Sequence, residues 1–168
     1  MFTKNSIWVL FAILVISGLV LGSAIQVGAE TLNLKFYSYV VKAEKDPIGD
    51  VEGHIMGVEV RKAFVVLENG EVATGNSVNI FDFTKFSGPF SAYSTFKFSD
   101  GSTIILKNQG TVGATSGGWM SEIIHGTGRF EGIKGTATAK TKYLPVEAGE
   151  LGPKGYGEGT LTYTLPSK

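Results

Sequence analysis

Glu59 and Arg61 are the residues whose types and spacing come nearest to a catalytic site. They lie two positions apart in a predicted β-strand, and residues at that spacing point to the same face. Inside a barrel they would form a buried carboxylate–guanidinium pair, which is a candidate acid–base site. On the outside they would form an exposed ion pair of little energetic value.

The alternation of this segment favours the outside position for the pair. The opposite face is the more apolar of the two and consists of His54, Met56, Val58, Val60, Lys62 and Phe64. The more apolar face of a strand is expected to face the core. Glu122 is another ambiguous acid, because it shares a strand face with Met120 and Ile124. Glu59, Arg61 and Glu122 are therefore the catalytic candidates, and the catalytic residue itself stays unknown.

Other common catalytic and metal-binding patterns are missing from the sequence. The chain contains no cysteine, which excludes disulfides, zinc–thiolate sites and a cysteine nucleophile. His54 and His125 are the only histidines, and neither has a partner at metal-ligand spacing. The segment 75–79 comes nearest to a serine nucleophile elbow but does not match its G-x-S-x-G pattern. We expect no bound metal and no cofactor.

The most distinctive local sequence is HGTGRFEGIKG, residues 125–135. Its first glycines are spaced G-x-G-x-x-x-G, unlike a dinucleotide-binding loop, and no amphipathic helix follows. We therefore predict a tight turn between strands, with a positive φ at Gly128. Phe130 and Ile133 are expected to plug one end of a barrel. By contrast, Gly117 and Gly118 are expected to lie in a flexible stretch.

Short segments rich in β-branched and aromatic residues, separated by glycines, predict eight β-strands. They are residues 32–42, 53–68, 71–83, 90–99, 102–109, 118–125, 135–144 and 156–165. The pairs Asn69-Gly70 and Asp100-Gly101 predict hairpins with type I′ turns. Residues 44–51 and 145–154 are predicted loops, the second near a barrel mouth. Because hairpin-linked strands leave edges exposed unless the sheet closes, we predict an all-β fold, a closed antiparallel eight-stranded barrel.

The inward face of this barrel is predicted to be apolar. Strand 90–99 alternates apolar with polar residues, and strand 156–165 alternates Leu161, Tyr163 and Leu165 with threonines. An eight-stranded barrel is filled by its side chains or holds one small ligand. The predicted ligand-binding residues are Phe90, Phe96, Phe98, Ile104, Leu106 and Tyr163.

The N-terminal segment has the pattern of a signal peptide. Lys4 precedes a long apolar run, and Val27-Gly28-Ala29 places small residues before a cleavage site. We predict a cleaved signal peptide of residues 1–29 and a single barrel domain of residues 30–168. Cleavage after Ala24 and an uncleaved membrane anchor are the alternatives. The absence of cysteines and of Asn-x-Ser/Thr acceptors favours a secreted or periplasmic protein of bacterial origin.

The nearly equal numbers of basic and acidic residues limit the classes of molecule that the protein is expected to bind. Without Lys4 the chain keeps 14 basic and 15 acidic residues, so it has no basic excess for a polyanion, and no nucleic-acid partner is expected. We expect a small apolar or amphipathic molecule as partner, no membrane after signal cleavage, and a possible homo-oligomer.

Half of the chain resembles a known family. GPFSAYSTFKFSDGSTIILKNQGT, IIHGTGRFEGIKGTATAKTKYL and GEGTLTYTL resemble the allene oxide cyclase-like barrels, which include the plant dirigent proteins and bacterial relatives. The glycine-rich motif consists of Gly126, Gly128, Phe130, Gly132 and Gly135. The resemblance implies a calycin-like barrel with an apolar cavity that steers the conformation of a reactive oxylipin or orients radicals. It assigns fold roles to the motif residues and transfers no catalytic residue.

Three functions remain open from the sequence. The first is an exported barrel that binds a small apolar or amphipathic ligand in its interior. The second is a cyclase, isomerase or stereo-directing, dirigent-like protein acting on a lipid-derived or phenolic substrate, which requires an ionisable side chain inside the barrel. The third is a filled structural barrel without a pocket.

Overall fold

Eight antiparallel strands close into a barrel in which each strand pairs with the next and the last pairs with the first. This computed structural model describes residues 28–167. The strands are β1 (Glu30–Pro47), β2 (His54–Leu67), β3 (Val72–Thr84), β4 (Gly88–Phe98), β5 (Thr103–Val112), β6 (Ser116–Thr127), β7 (Lys134–Tyr143) and β8 (Gly155–Thr164). The predicted closed eight-stranded barrel is therefore confirmed. The predicted signal peptide lies outside the described residues apart from Gly28 and Ala29.

The first half of the predicted loop at residues 44–51 is strand. β1 continues to Pro47, so only residues 48–53 connect it to β2. A bulge at Val41 shifts the β1–β2 register between Val40 and Lys42. Such a bulge adds one residue and bends a strand locally, so β1 can follow the curved wall for 18 residues. The predicted loop at 145–154 is confirmed as the connection between β7 and β8.

Both predicted hairpins form, but their turns are not of type I′. In the turn at 99–102 only Gly101 has a positive φ, and its N–H donates to the carbonyl of Phe98 at 3.0 Å. The turn at 68–71 is built in the same way around Gly70. This is a three-residue loop that ends in a left-handed glycine.

The type I′ turn, which the sequence predicted for the other two hairpins, occurs in the β3–β4 hairpin instead. Its two central residues, Lys85 and Phe86, both have positive φ, 50° and 63°. The N–H and carbonyl groups of Thr84 and Ser87 pair on either side of them, at 2.8 and 3.0 Å. Positive φ at both positions defines a type I′ turn, which normally selects Asn and Gly. Lysine and phenylalanine are strained in this conformation.

The glycine-rich motif closes one end of the barrel, as predicted. A single 3-10 turn, Gly128–Phe130, connects β6 to β7, and Gly128 has the predicted positive φ of 63°. The buried ring of Phe130 lies 4.8 Å from that of Phe98, centroid to centroid. Ile133 is also buried in the core. Phe130 and Ile133 therefore plug this end, which we call the closed end.

Arg129 holds the plug in place from the surface. Its guanidinium pairs with Glu71 at 2.6 Å and with Asp100 at 3.4 Å. It also lies over the ring of Phe130, 4.6 Å from the centroid, and over the ring of Phe98 at 5.0 Å. These contacts tie three connections of the closed end together, because they join the turns that follow β2, β4 and β6.

Gly117 and Gly118 are not in a flexible stretch, because both belong to β6. A Cβ on Gly117 would come within 2.8 Å of Val112, whereas one on Gly118 would have ordinary contacts of 3.6 Å or more. Only Gly118 is therefore a suitable reference position for glycine substitutions. Within residues 28–167, no helix has the length and apolar character to cross a membrane.

Candidate functional site

The barrel encloses a cavity of about 420 Å³ that opens at the end opposite the plug. We call this end the mouth. It is formed by residues 48–53, 85–87, 113–115 and 144–154, the four connections between strands at that end. The apolar wall of the cavity includes Leu34, Phe36, Phe81, Phe83, Phe90, Phe96, Leu106 and Trp119. The alternative of a filled barrel without a pocket is therefore wrong.

The predicted ligand-binding residues all point inward, but they divide into two levels. Phe90, Phe96 and Leu106 line the cavity. The other three, Phe98, Ile104 and Tyr163, are buried in the core next to the plug and do not line it. The Tyr163 hydroxyl donates to the Glu30 carboxylate at 2.6 Å. Burial and this hydrogen bond raise the pKa of Tyr163 to about 12.

Glu59 and Arg61 also point into the cavity, which corrects the outside position expected from the sequence. Only 19% of the Glu59 side chain and 13% of the Arg61 side chain are exposed. The face that was expected to be buried is outside, where Met56, Val58 and Phe64 are 43–53% exposed. The hydrophobicity of the two faces predicted the wrong inward face of β2. The outward face is apolar, and the polar residues of the inward face have hydrogen-bonding partners inside the barrel.

Three groups hold the Arg61 guanidinium. Nη1 donates to Oε1 of Glu59 at 3.0 Å, and Nη2 donates to the carbonyl oxygen of Pro153 at 2.7 Å. The Ser38 hydroxyl lies 3.5 Å from Nη2. The ion pair cancels both charges within the cavity, and the Pro153 contact links β2 to the loop at 144–154. A buried pair with additional hydrogen bonds of this kind is costly to break.

Two more side chains complete this polar cluster. The Asn79 amide donates to Ser77 at 3.3 Å and lies 3.5 Å from Oε1 of Glu59. The Tyr143 ring lies 6.0 Å from the Arg61 guanidinium. Burial raises the pKa of Tyr143, Arg61 opposes this rise and Glu59 adds to it. Tyr143 is therefore a neutral hydroxyl at physiological pH.

A second polar cluster lies on β4, β5 and β6. The Asn108 amide donates to the Ser94 hydroxyl at 2.7 Å, and Ser121 is paired directly with Asn108 across β5 and β6. All three line the cavity. The sequence analysis missed this cluster and Asn79, Ser77 and Tyr143. The alternation of β3 from buried Ala73 to Phe81 would have placed Ser77 and Asn79 inside.

The remaining titratable candidates have no place in the cavity. Glu122 is exposed on the outer wall, so it is not a candidate for chemistry in the interior. His125 is exposed as well. His54 lies near the mouth between Asp50 and Asp82, whose carboxylates are 2.5 and 2.7 Å from its two ring nitrogens. Hydrogen bonds to Asp82 and Asp50 raise the pKa of His54.

The arrangement suits recognition of a molecule with an apolar body and a few polar groups. Aromatic and aliphatic side chains cover most of the wall, while two clusters offer hydroxyl, amide and carboxylate groups. Glu59 is also an inward carboxylate that can accept or return a proton. Among the described residues, no group of three or more His, Cys, Asp or Glu side chains is placed to hold a metal ion.

Comparisons with known proteins match the fold. Two pterocarpan synthase dirigent proteins superpose on the chain with TM-scores of 0.57 and 0.56, at 15% and 17% identity. The alignments cover 83% and 84% of this chain and 92% and 97% of those proteins. A DUF3224-family protein of unknown function from Shewanella oneidensis MR-1 aligns at a TM-score of 0.47 and 14% identity, over 83% of this chain and all of that chain.

No protein-family model matches the chain, and no curated protein matches it. The likeness to the two dirigent proteins concerns the fold, because the identities are low. It supports a dirigent-like barrel fold, which is the fold implied by the resemblance seen in the sequence.

Proposed function

We propose that this barrel binds one small, uncharged, largely apolar molecule in its interior. The observation that carries the proposal is the cavity of about 420 Å³, with an aromatic and aliphatic wall and an opening at one end. Ligand sites of soluble proteins are typically concave, mostly apolar and equipped with a few oriented polar groups. The cavity has all three properties.

The polar groups of the wall favour a ligand without net charge. Glu59 and Arg61 neutralise each other at 3.0 Å, so neither an anion nor a cation finds an unmatched partner there. The hydroxyl and amide groups of the two clusters suit alcohol, phenol or carbonyl oxygens, which exchange hydrogen bonds without charge. Amphipathic molecules with such oxygens at one or two positions are the best-matched class.

Binding is tested with a hydrophobic fluorescent probe, N-phenyl-1-naphthylamine, and with a panel of neutral lipids and phenols that compete for it. The variant Ala137→Phe adds a ring to the cavity wall, and we expect it to reduce probe binding at least tenfold. Met120→Phe on the outer wall, where Met120 is 70% exposed, is the matched control and should bind as wild type. Absence of probe binding, or equal binding by all three proteins, contradicts the proposal.

A second candidate function is a cyclase, isomerase or stereo-directing reaction in the same cavity. The inward position of Glu59 favours it, since this function requires an ionisable group inside the barrel. The matched structures are named as pterocarpan synthase dirigent proteins, so phenolic substrates are a reasonable first panel. Glu59→Gln keeps the shape and removes the base. Loss of turnover with retained probe binding supports the reaction, whereas the absence of turnover by wild type across the panel supports binding alone.

We also infer export to the periplasm or the exterior, with cleavage after Ala29. Two observations support this cleavage site. Gly28 and Ala29 are exposed, and β1 begins at Glu30, so cleavage there leaves all strands of residues 28–167 intact. Intact mass and N-terminal sequencing of the extracytoplasmic protein test the inference. A chain that starts at Glu30 is expected, and a retained leader contradicts it.

A further inference from the structure

Six large apolar side chains are exposed around the mouth. They are Ile48, Val51, Phe86, Leu144, Val146 and Leu151, and each is 46–68% exposed. We call them the mouth ring. They lie on three of the four connections that form the mouth, and Phe86, Leu144 and Val146 also line the cavity. The ring is therefore continuous with the apolar interior.

Phe86 is the most exposed member and is held in an unusual way. At 68% exposure, it lies at the tip of the type I′ turn with φ of 63°. A phenylalanine at this position is disfavoured both by its backbone conformation and by contact with water. A role for the side chain outside the folded barrel would account for both.

The charges of the mouth indicate which surface would fit the ring. Its connections carry four acidic residues, Asp50, Glu52, Glu147 and Glu150, and two lysines. Both lysines are paired with carboxylates of the same connections, Lys85 with Glu52, and Lys154 with Glu147 and Glu150. No unpaired cation on these connections attracts an anionic surface, and two copies of this acidic rim would repel each other. A zwitterionic surface fits both constraints.

We propose that the mouth ring docks transiently on zwitterionic phospholipid surfaces, from which the apolar ligand enters the cavity. Apolar side chains spread over three short connections suit shallow insertion between headgroups, where each side chain is covered by lipid. The ligand then passes from the bilayer to the cavity without crossing water. This inference rests on the proposed binding function for its purpose and replaces the expectation of no membrane contact after signal cleavage.

The test is flotation of the exported, processed protein with phosphatidylcholine vesicles. We expect wild type to float with the vesicles and the double variant Val51→Asp/Leu151→Asp to partition at least fivefold less. Both replaced side chains are more than half exposed, at 56% for Val51 and 54% for Leu151, so the variant should fold. The matched control is Met120→Asp on the outer wall, at 70% exposure, and it should float as wild type.

Three flotation outcomes overturn the proposal. They are wild type that does not float, a double variant that floats as well as wild type, and a Met120→Asp control that loses as much partitioning. Stronger partitioning into phosphatidylglycerol than into phosphatidylcholine overturns the assignment to zwitterionic surfaces. Intact mass must show that residues 1–29 are absent, since an apolar leader itself binds lipid.

Probe binding without vesicles separates this inference from the proposed function. Wild type and the double variant should bind N-phenyl-1-naphthylamine equally in solution, because neither Val51 nor Leu151 lines the cavity. If wild type binds the probe but does not float, the proposed membrane docking is wrong and the proposed ligand binding is unaffected. If wild type floats but does not bind the probe, the proposed ligand binding is wrong and the proposed membrane docking is unaffected.

Discussion

Arg61 and Pro153 are joined by a hydrogen bond of 2.7 Å between residues 92 positions apart in the chain. The bond fastens the loop of the mouth to the polar cluster of the cavity. Because the same guanidinium also neutralises Glu59, one side chain both orders the loop and balances a charge that is largely buried.

Arg61→Met should lower the free energy of unfolding by about 2 kcal/mol, because Glu59 then lacks its counter-charge in a mostly buried position. Adding Glu59→Gln should recover part of this loss. Lys140→Met, an exposed lysine on the outer wall of β7, is the control and should change little. Chemical denaturation measures all three. In the Arg61→Met variant, a glutamyl endopeptidase should also cleave the loop at 144–154 faster, at Glu147 and Glu150. Unchanged cleavage and unchanged stability would refute the role of Arg61.

Gly128→Ala should destabilise the barrel by about 1 kcal/mol or more, because alanine is disfavoured at positive φ. The new Cβ would also meet the Ser102 hydroxyl. Gly118→Ala is the control, since a Cβ there has ordinary contacts and the backbone is a normal strand. Thermal denaturation of both variants decides the matter. Equal melting temperatures would show that the turn beside the plug is not constrained.

Replacing Lys85-Phe86 by Asn-Gly should stabilise the β3–β4 hairpin by roughly 1 kcal/mol, because these residues fit a type I′ turn and the native pair does not. The melting temperature should rise while vesicle partitioning falls, since Phe86 is lost. In the same two measurements, the control variant Phe86→Leu should partition into vesicles nearly as well as wild type. A lower melting temperature for Asn-Gly would mean that the Phe86 side chain itself stabilises the fold.

The stability of the protein should fall as the pH rises from 5.5 to 8.5. The pKa of His54 is raised in the folded state by hydrogen bonds to Asp82 and Asp50. Its contribution is therefore fully present below the ordinary value of about 6.5 and is lost as the pH passes through the raised pKa. The pKa of Asp50 is lowered, so Asp50 titrates below this window. Denaturation of wild type and His54→Gln at both pH values tests this, and an unchanged slope in the variant would contradict it.

The strand order and the closed end were accessible from the sequence because their signals are local. Alternation in β4 and β8 is regular, and the glycine-rich motif marks a constrained turn at Gly128. The face of β2 was assigned wrongly for a physical reason. Gly57 has no side chain, and Glu59 and Arg61 satisfy each other inside, so the buried face is the less apolar one. A Cβ at Gly57 would meet Phe81 at 2.6 Å, which explains the glycine.

The type I′ turn and the polar clusters could not be inferred from local patterns. Lys85 and Phe86 carry no turn signal, and their conformation is imposed by the strands on either side. The partner of Arg61 is a backbone carbonyl of a distant loop, and the proximity of Asn108 to Ser94 depends on the β4–β5 register. These contacts exist only once the barrel has closed.

That closure sets the order in which the chain can fold. Every strand pairing joins consecutive strands except β1–β8, where Glu30 opposes Tyr163. Local hairpins form quickly, whereas joining positions 133 residues apart carries the entropy of a long loop. The pairing of β1 with β8 is therefore expected to limit the folding rate. Until β8 pairs with β1, Leu34 and Phe36 of β1 border an open edge, so the chain is most prone to aggregate before its last ten strand residues are in place.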